Sequence, residues 1–75
     1  MWIWIHTSSD YAEASISNNY FATKQEAWEH FVYDWDQVVD DWKPDPLGGF
    51  TQQGSMSWSQ VKFEKLTKFE GFPDE

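Results

Sequence analysis

The chain has 75 residues, no Cys, six Trp, six Phe and three Tyr, and a formal charge of −8 from 13 acids against five Lys and no Arg. One small domain of that length buries only about 60% of its unfolded surface, so large aromatic side chains must supply the core; without Cys, neither a disulfide nor Cys-ligated zinc is available. The acidic balance speaks against direct nucleic-acid binding and against anionic membranes, both of which need basic side chains, and leaves solubility or a basic partner as its uses.

Trp2-Ile3-Trp4-Ile5-His6 is β-branched and aromatic, and reads as a strand. Trp2 and Trp4 fall on one face, Ile3 and Ile5 on the other. A strand apolar on both faces expects cover on both sides. One helix covers only one side, so Leu47, Phe50, Phe69 and Phe72 wrap the second face, or that face is a contact surface. With an apolar run of four residues and no basic start, the first ten residues do not read as a signal peptide. No stretch reaches the roughly 20 apolar residues of a membrane span. The expected compartment is the cytoplasm. Thr7 to Asp10 is a turn-type cluster. Tyr11 to Ile16 alternates partly and is expected to form a hairpin with the first strand. Ser17-Asn18-Asn19 is a break, and Tyr20 and Phe21 are placed to staple a helix start.

Lys24 to Lys43 reads as one amphipathic helix. At about 100° per residue, Ala27, Trp28, Phe31, Val32, Trp35, Val38, Val39 and Trp42 fall within an arc of about 140°. Thr23 and Glu26 form a capping box, in which the Thr hydroxyl takes the Glu26 amide and the Glu carboxylate reaches back to the Thr23 amide. The opposite arc carries Glu26, Glu29, His30, Tyr33, Asp34, Asp36, Gln37, Asp40 and Asp41, with no basic residue before Lys43. Asp40 and Asp41 would then oppose the helix dipole. Lys43-Pro44 ends the helix.

Pro44 to Ser55 is rich in Pro and Gly and reads as a loop, with Leu47 and Phe50 tucking back onto the core. Residues 57–69 fit a strand or a short helix; the clean alternation of Val61-Lys62-Phe63-Glu64 favours a strand with a bend near Lys65. Residues 70–75 read as a flexible acidic tail on a single domain spanning 1–75. The fold class is therefore α+β: a small antiparallel sheet, in β-β-α-β order, with one helix packed on one face.

On a continuous helix, Asp36 and Asp40 would lie about 6 Å apart along the axis, and Glu29 and Asp36, or Asp34 and Asp41, about 10.5 Å apart. Carboxylates at such intervals imitate the charge rows of a nucleic-acid backbone, and Tyr33 at their centre has the character of an interface anchor. The candidate partner-binding residues are Glu26, Glu29, Tyr33, Asp34, Asp36, Gln37, Asp40 and Asp41. The competing reading is a solvated face that keeps a Trp-rich domain soluble. His6 and His30 lack metal-ligand spacing with a strong second ligand, although His30 and Asp34 stand at i, i+4. No nucleophile motif or phosphate loop is present, so neither an enzyme nor a cofactor is expected. Residues 56–75 carry three Lys against four acids and residues 1–55 two Lys against nine, so the chain is electrically polarised.

No motif assigns the chain to a family. In general character (short, acidic, without Cys, without catalytic motifs) it resembles small phage-encoded inhibitors and DNA mimics. The resemblance implies a basic protein surface, that of a nucleic-acid-binding enzyme, as partner, and a bacterial host cell as setting. The alternative is a dimerising or adaptor protein that uses the apolar Trp/Ile sheet face, with homodimerisation as its simplest form.

Overall fold

The computed structural model describes residues 1–66. The strands are β1 (Trp2–Ser8), β2 (Ser15–Ile16), β3 (Lys43–Pro44), β4 (Phe50–Gln53) and β5 (Trp58–Lys65), and the helix is α1 (Lys24–Asp34), followed by a 3-10 turn at Val39–Asp41. They build one antiparallel sheet in the order β2-β1-β5-β4-β3, with α1 across one face. The fold is α+β. The expected acidic tail, and the Phe69 and Phe72 expected to cover the second sheet face, lie outside the described residues.

Two long strands carry the sheet. β1 and β5 pair over their full length, from Trp2 opposite Lys65 to Ser8 opposite Ser59. The 58–65 segment is thus a strand, as its alternation favours, and it ends at Lys65. The outer edge of β1 is closed piecemeal. Trp2 and Phe21 exchange backbone hydrogen bonds of 2.6 and 2.8 Å, and the Ser17 amide donates to the Trp4 carbonyl. Only Ser15 and Ile16 of the expected 11–16 strand pair with β1. Phe21 packs on the His30 ring, whereas Tyr20 is exposed, so Phe21 alone clamps the helix start.

The stretch expected as a loop holds two strands. β3 and β4 form a hairpin whose turn is Asp45-Pro46-Leu47-Gly48-Gly49. Asp45 Oδ1 accepts from the Leu47 amide at 2.8 Å, and Oδ2 accepts from Gln60 Nε2 at 2.7 Å. The Gly48 amide donates to the Asp45 carbonyl. The Leu47 and Gln60 hydrogen bonds, aided by the Lys62 charge, hold the Asp45 carboxyl below its ordinary value. Gly49 has φ of 76°, and a Cβ there would collide with the Val61 carbonyl. Gly is what lets the turn come this close to the β5 backbone. Phe50 tucks onto the core as expected, but Leu47 stays 83% exposed.

The helix is shorter than its periodicity suggests. α1 stops at Asp34, with Trp35 as its C-cap. Asp36 adopts a left-handed φ of 51°, its amide donates to the Tyr33 carbonyl, and the Gln37 amide donates to the Val32 carbonyl at 2.9 Å. These two bonds are the paired closure that ends a helix on a left-handed residue. The reason for stopping is the position of Trp42. On a continuous helix its Cα would lie about 21 Å along the axis from Trp28. After the chain reverses at Asp36, the Trp42 and Trp28 rings meet edge-to-face at 5.9 Å. Burying an indole withdraws about 150–250 Å² from water, at most about 6 kcal/mol. That exceeds the helical turns forgone. Val38 and Val39, expected in the core, are exposed as a result.

The core contains Trp4, Ala27, Trp28, Phe31, Trp42 and Val61, with Trp2, Phe21, Val32, Trp35, Phe50 and Phe63 packed around it. Phe31 is fully buried. Its ring centroid lies 5.2 Å from those of Trp4 and His6, 5.5 Å from Trp42 and 5.9 Å from Trp28. Trp28 stacks on Phe50 at 4.2 Å, tying the helix to β4.

His6 is buried beside Phe31, with its ring edge-on to Trp35 at 4.6 Å. Desolvation pushes its imidazole below the ordinary 6.5. The unfolded chain therefore binds more protons than the folded one below pH 6.5, and stability falls as pH drops from there through the folded-state value. Asp45 acts in a separate, more acidic window, below its ordinary 3.8. Urea unfolding from about pH 7.5 to about pH 5 should show the wild type losing stability and His6→Gln a flatter profile. Equal slopes in the two proteins would contradict the buried neutral imidazole.

Candidate functional site

The eight residues singled out by sequence divide into three groups. Glu26 and Gln37 work for the fold. The Thr23 hydroxyl accepts from the Glu26 amide at 3.1 Å, as a capping box requires. The return bond differs from expectation: Glu26 Oε1 accepts from the Ala22 amide at 3.2 Å rather than from that of Thr23. Gln37 is half-buried and pins the reversal after α1. Its Nε2 donates to the Trp35 carbonyl at 2.8 Å, and its Oε1 accepts from Trp42 Nε1 at 3.2 Å. It satisfies the one polar atom of a buried indole, which explains its presence without a partner.

Glu29 is intermediate in role. It is exposed on α1, and its Oε2 accepts from Gln25 Nε2 at 3.1 Å.

The remaining five are exposed and lie close together in the chain. Tyr33 is 86% exposed on the last turn of α1. Asp34 is the final helical residue, Asp36 holds the left-handed position two residues on, and Asp40 and Asp41 belong to the 3-10 turn. All four carboxylates are exposed, and they fall within the eight residues from 34 to 41. They do not form rows on one helix face. The 6 Å and 10.5 Å spacings required a helix running to Lys43, and only Glu26, Glu29 and Asp34 remain on α1.

The conflict with helix electrostatics moves accordingly. Asp40 and Asp41 lie beyond the helix and oppose nothing in it. Asp34 and Asp36 stand at its C-terminus, where the unpaired carbonyls amount to about half a negative charge. No basic residue occupies the last turn of α1. An acid there costs about 0.3–1 kcal/mol. Asp36 also occupies a left-handed backbone position at which Gly is the ordinary choice.

The other candidate chemistries are not assembled. Trp4 Nε1 donates to His30 Nδ1 at 3.1 Å, which engages His30 with the sheet and not with Asp34. Among the described residues, no group of three His, Asp or Glu side chains could hold a metal ion, and no helix is long and apolar enough to cross a membrane. A shallow hollow is lined by Lys24, Leu47, Gly48, Gly49, Lys62 and Phe63, none of them among the eight. Lys24, unremarked in the sequence, has its ammonium 5.0 Å from the centre of the Trp2 ring.

No protein-family model, curated protein sequence or solved structure matches the chain.

Replacing Asp36 by Gly removes both the left-handed strain and the charge beside the helix C-terminus. Asp36→Gly should raise unfolding stability by about 1 kcal/mol, read as a higher urea midpoint at unchanged slope. A lower midpoint would show that the Asp36 carboxylate supports the fold.

Proposed function

We propose that the chain is a non-enzymatic protein-binding module: a small acidic inhibitor that offers carboxylates, in the manner of a DNA mimic, to the basic nucleic-acid-binding surface of another protein. The observation that carries this reading is the pairing of Asp34 and Asp36 at the C-terminus of α1. Both stand where helix electrostatics disfavour an acid, and one occupies a backbone position suited to Gly. Residues kept against stability point to selection for something other than folding. Asp40 and Asp41 extend the same exposed surface in sequence, and Tyr33 supplies an amphipathic ring, 86% exposed, that binding could desolvate. The acids act as a charged end rather than as a helical ladder, so the partner is recognised by summed potential and by the Tyr33 anchor. Charge steers the encounter, which makes it salt-sensitive. Glu29 lies on the flank of this surface. Glu26 and Gln37 are assigned to folding and drop out of the binding set. In this setting the module works in the cytoplasm of a bacterial host, as a phage-encoded protein would.

The test is affinity capture from bacterial lysate at low and high salt, with duplex DNA as competitor. Nucleic-acid-binding proteins should be retained at low salt and released by DNA. Asp36→Lys with Asp40→Lys should lower their retention about tenfold or more. Tyr33→Ala should weaken capture without altering its salt dependence. Capture indifferent to salt, to DNA and to the two charge reversals would overturn the proposal.

A further inference from the structure

The two edges of β5 are not used alike. On one side it pairs with β1 from Ser59 to Lys65. On the other, β4 pairs with it only from Trp58 to Val61. β4 begins at Phe50, and the left-handed Gly49 before it turns the chain aside. Among the described residues, no strand pairs with this edge of β5 beyond Val61. Hydrogen bonds define the groups that this edge presents. The Ser9 amide donates to the Trp58 carbonyl and the Leu66 amide to the Met1 carbonyl, so even-numbered residues of β5 turn their backbone N–H and C=O to β1. The Thr51 hydroxyl donates to the Ser59 carbonyl, so odd-numbered residues turn theirs to β4. Phe63 and Lys65 therefore each present an N–H and a C=O along the open stretch. Such a stretch is a template for one further strand. Val61 and Phe63 stand opposite His6 and Trp4 on the helix side of the sheet, and Lys65 stands opposite Trp2. The hollow lined by Lys24, Leu47, Gly48, Gly49, Lys62 and Phe63 lies where β4 leaves β5.

We infer that this edge is a strand-docking groove whose occupant is the chain's own segment 70–74, which lies outside the described residues and folds back beside β5. Length supports this occupant. Lys65 to Val61 is about 13 Å of strand, which five residues span. A loop of four residues, 66–69, returns the chain to Lys65 with Glu70 opposite it. That pairing sets Gly71 opposite Glu64, Phe72 opposite Phe63 and Pro73 opposite Lys62.

Backbone chemistry supports the same register. Glu70 and Phe72 have the N–H that a ladder needs, and they meet the two residues whose backbone groups point outward. Pro73 has no N–H, and it meets Lys62, whose groups are turned to β1, so no bond is lost. A loop one residue longer would set Pro73 opposite Phe63 and lose a ladder bond. A loop one residue shorter would set it opposite Val61, where Phe50 already pairs. Side chains agree as well. Glu70 comes beside Lys65, and Phe72 beside Phe63 on the helix side, an opposite-charge pair and an aromatic pair of the kind that stabilises neighbouring strands. Asp74 then reaches the hollow, where Lys24, the first residue of α1, and Lys62 supply the positive charge.

Amide hydrogen exchange in the full chain tests this. The Phe63 and Lys65 amides should exchange about tenfold or more slowly relative to a Phe72→Pro variant, which removes one ladder donor. The Lys62 amide, turned to β1, should be unaffected and reports an intact sheet. Because the chain has no Cys, an engineered pair gives an independent reading. Glu64→Cys with Gly71→Cys, directly opposite in a non-hydrogen-bonded pair, should close an intramolecular disulfide about tenfold or more faster than Glu64→Cys with Glu70→Cys, whose side chains point to opposite faces. Phe63 and Lys65 amides that exchange as fast in the wild type as in Phe72→Pro overturn the inference. So do two cysteine pairs that close at equal rates. Disulfides that form only between chains overturn it too, because a second copy would then hold the edge.

Discussion

Among the described residues a single α-helix of 11 residues has to cover one face of a five-stranded sheet, and that constraint governs the rest of the structure. Aliphatic side chains on so short a helix would leave gaps over β4 and β5. Rings fill them. Phe31 is enclosed by Trp4, Trp28, Trp42 and His6, and Trp28 reaches Phe50. Two of the indoles brought inside are given a partner: His30 accepts from the Trp4 indole, and Gln37 accepts from the Trp42 indole. Both acceptors lie on or just after α1, so the helix supplies apolar cover and hydrogen-bond acceptors together.

The early end of the helix follows from the same constraint. Extending α1 would carry Trp42 past the sheet it needs to cover. Reversing the chain at Asp36 folds Trp42 back beside Trp28 and Phe31. The consequence for function is a change of geometry. The carboxylates expected along one helical face are instead divided between the end of α1 and the 3-10 turn that follows. This geometry leaves Tyr33 86% exposed on the last turn of α1.

How much of this the sequence discloses depends on the range of the forces involved. The cap at Thr23, the burial of Trp28 and Phe31 and the exposure of Tyr33 follow from local pattern, as does the first strand, although it runs on to Ser8 through the Thr7 and Ser8 expected in a turn, because both pair with β5. The end of the helix does not. Trp35, Val38, Val39 and Trp42 continue the helical period without a Gly or Pro to break it, and the decision lies in a tertiary contact between Trp42 and Trp28. Asp36 gave no local sign that it would turn left-handed. The β3–β4 hairpin was hidden for a different reason. Its turn residues, Pro, Gly and Gly, are the ones that mark loops, and the strands beside them are two and four residues long. Within the candidate site, the exposed acids were legible as a group. The structural duties of Glu26 and Gln37 were only partly so, because Gln37 acts through an indole five residues away in the chain.

The central claim is that Asp34 and Asp36 are retained against the stability of the fold. Measuring the unfolding free energy of the double variant Asp34→Asn, Asp36→Asn in urea tests it most directly. With helix-terminal repulsion removed and Asn better suited than Asp to a left-handed backbone, stability should rise by about 1 kcal/mol. A fall of about 1 kcal/mol or more would show that these carboxylates hold the structure together, and would contradict the account.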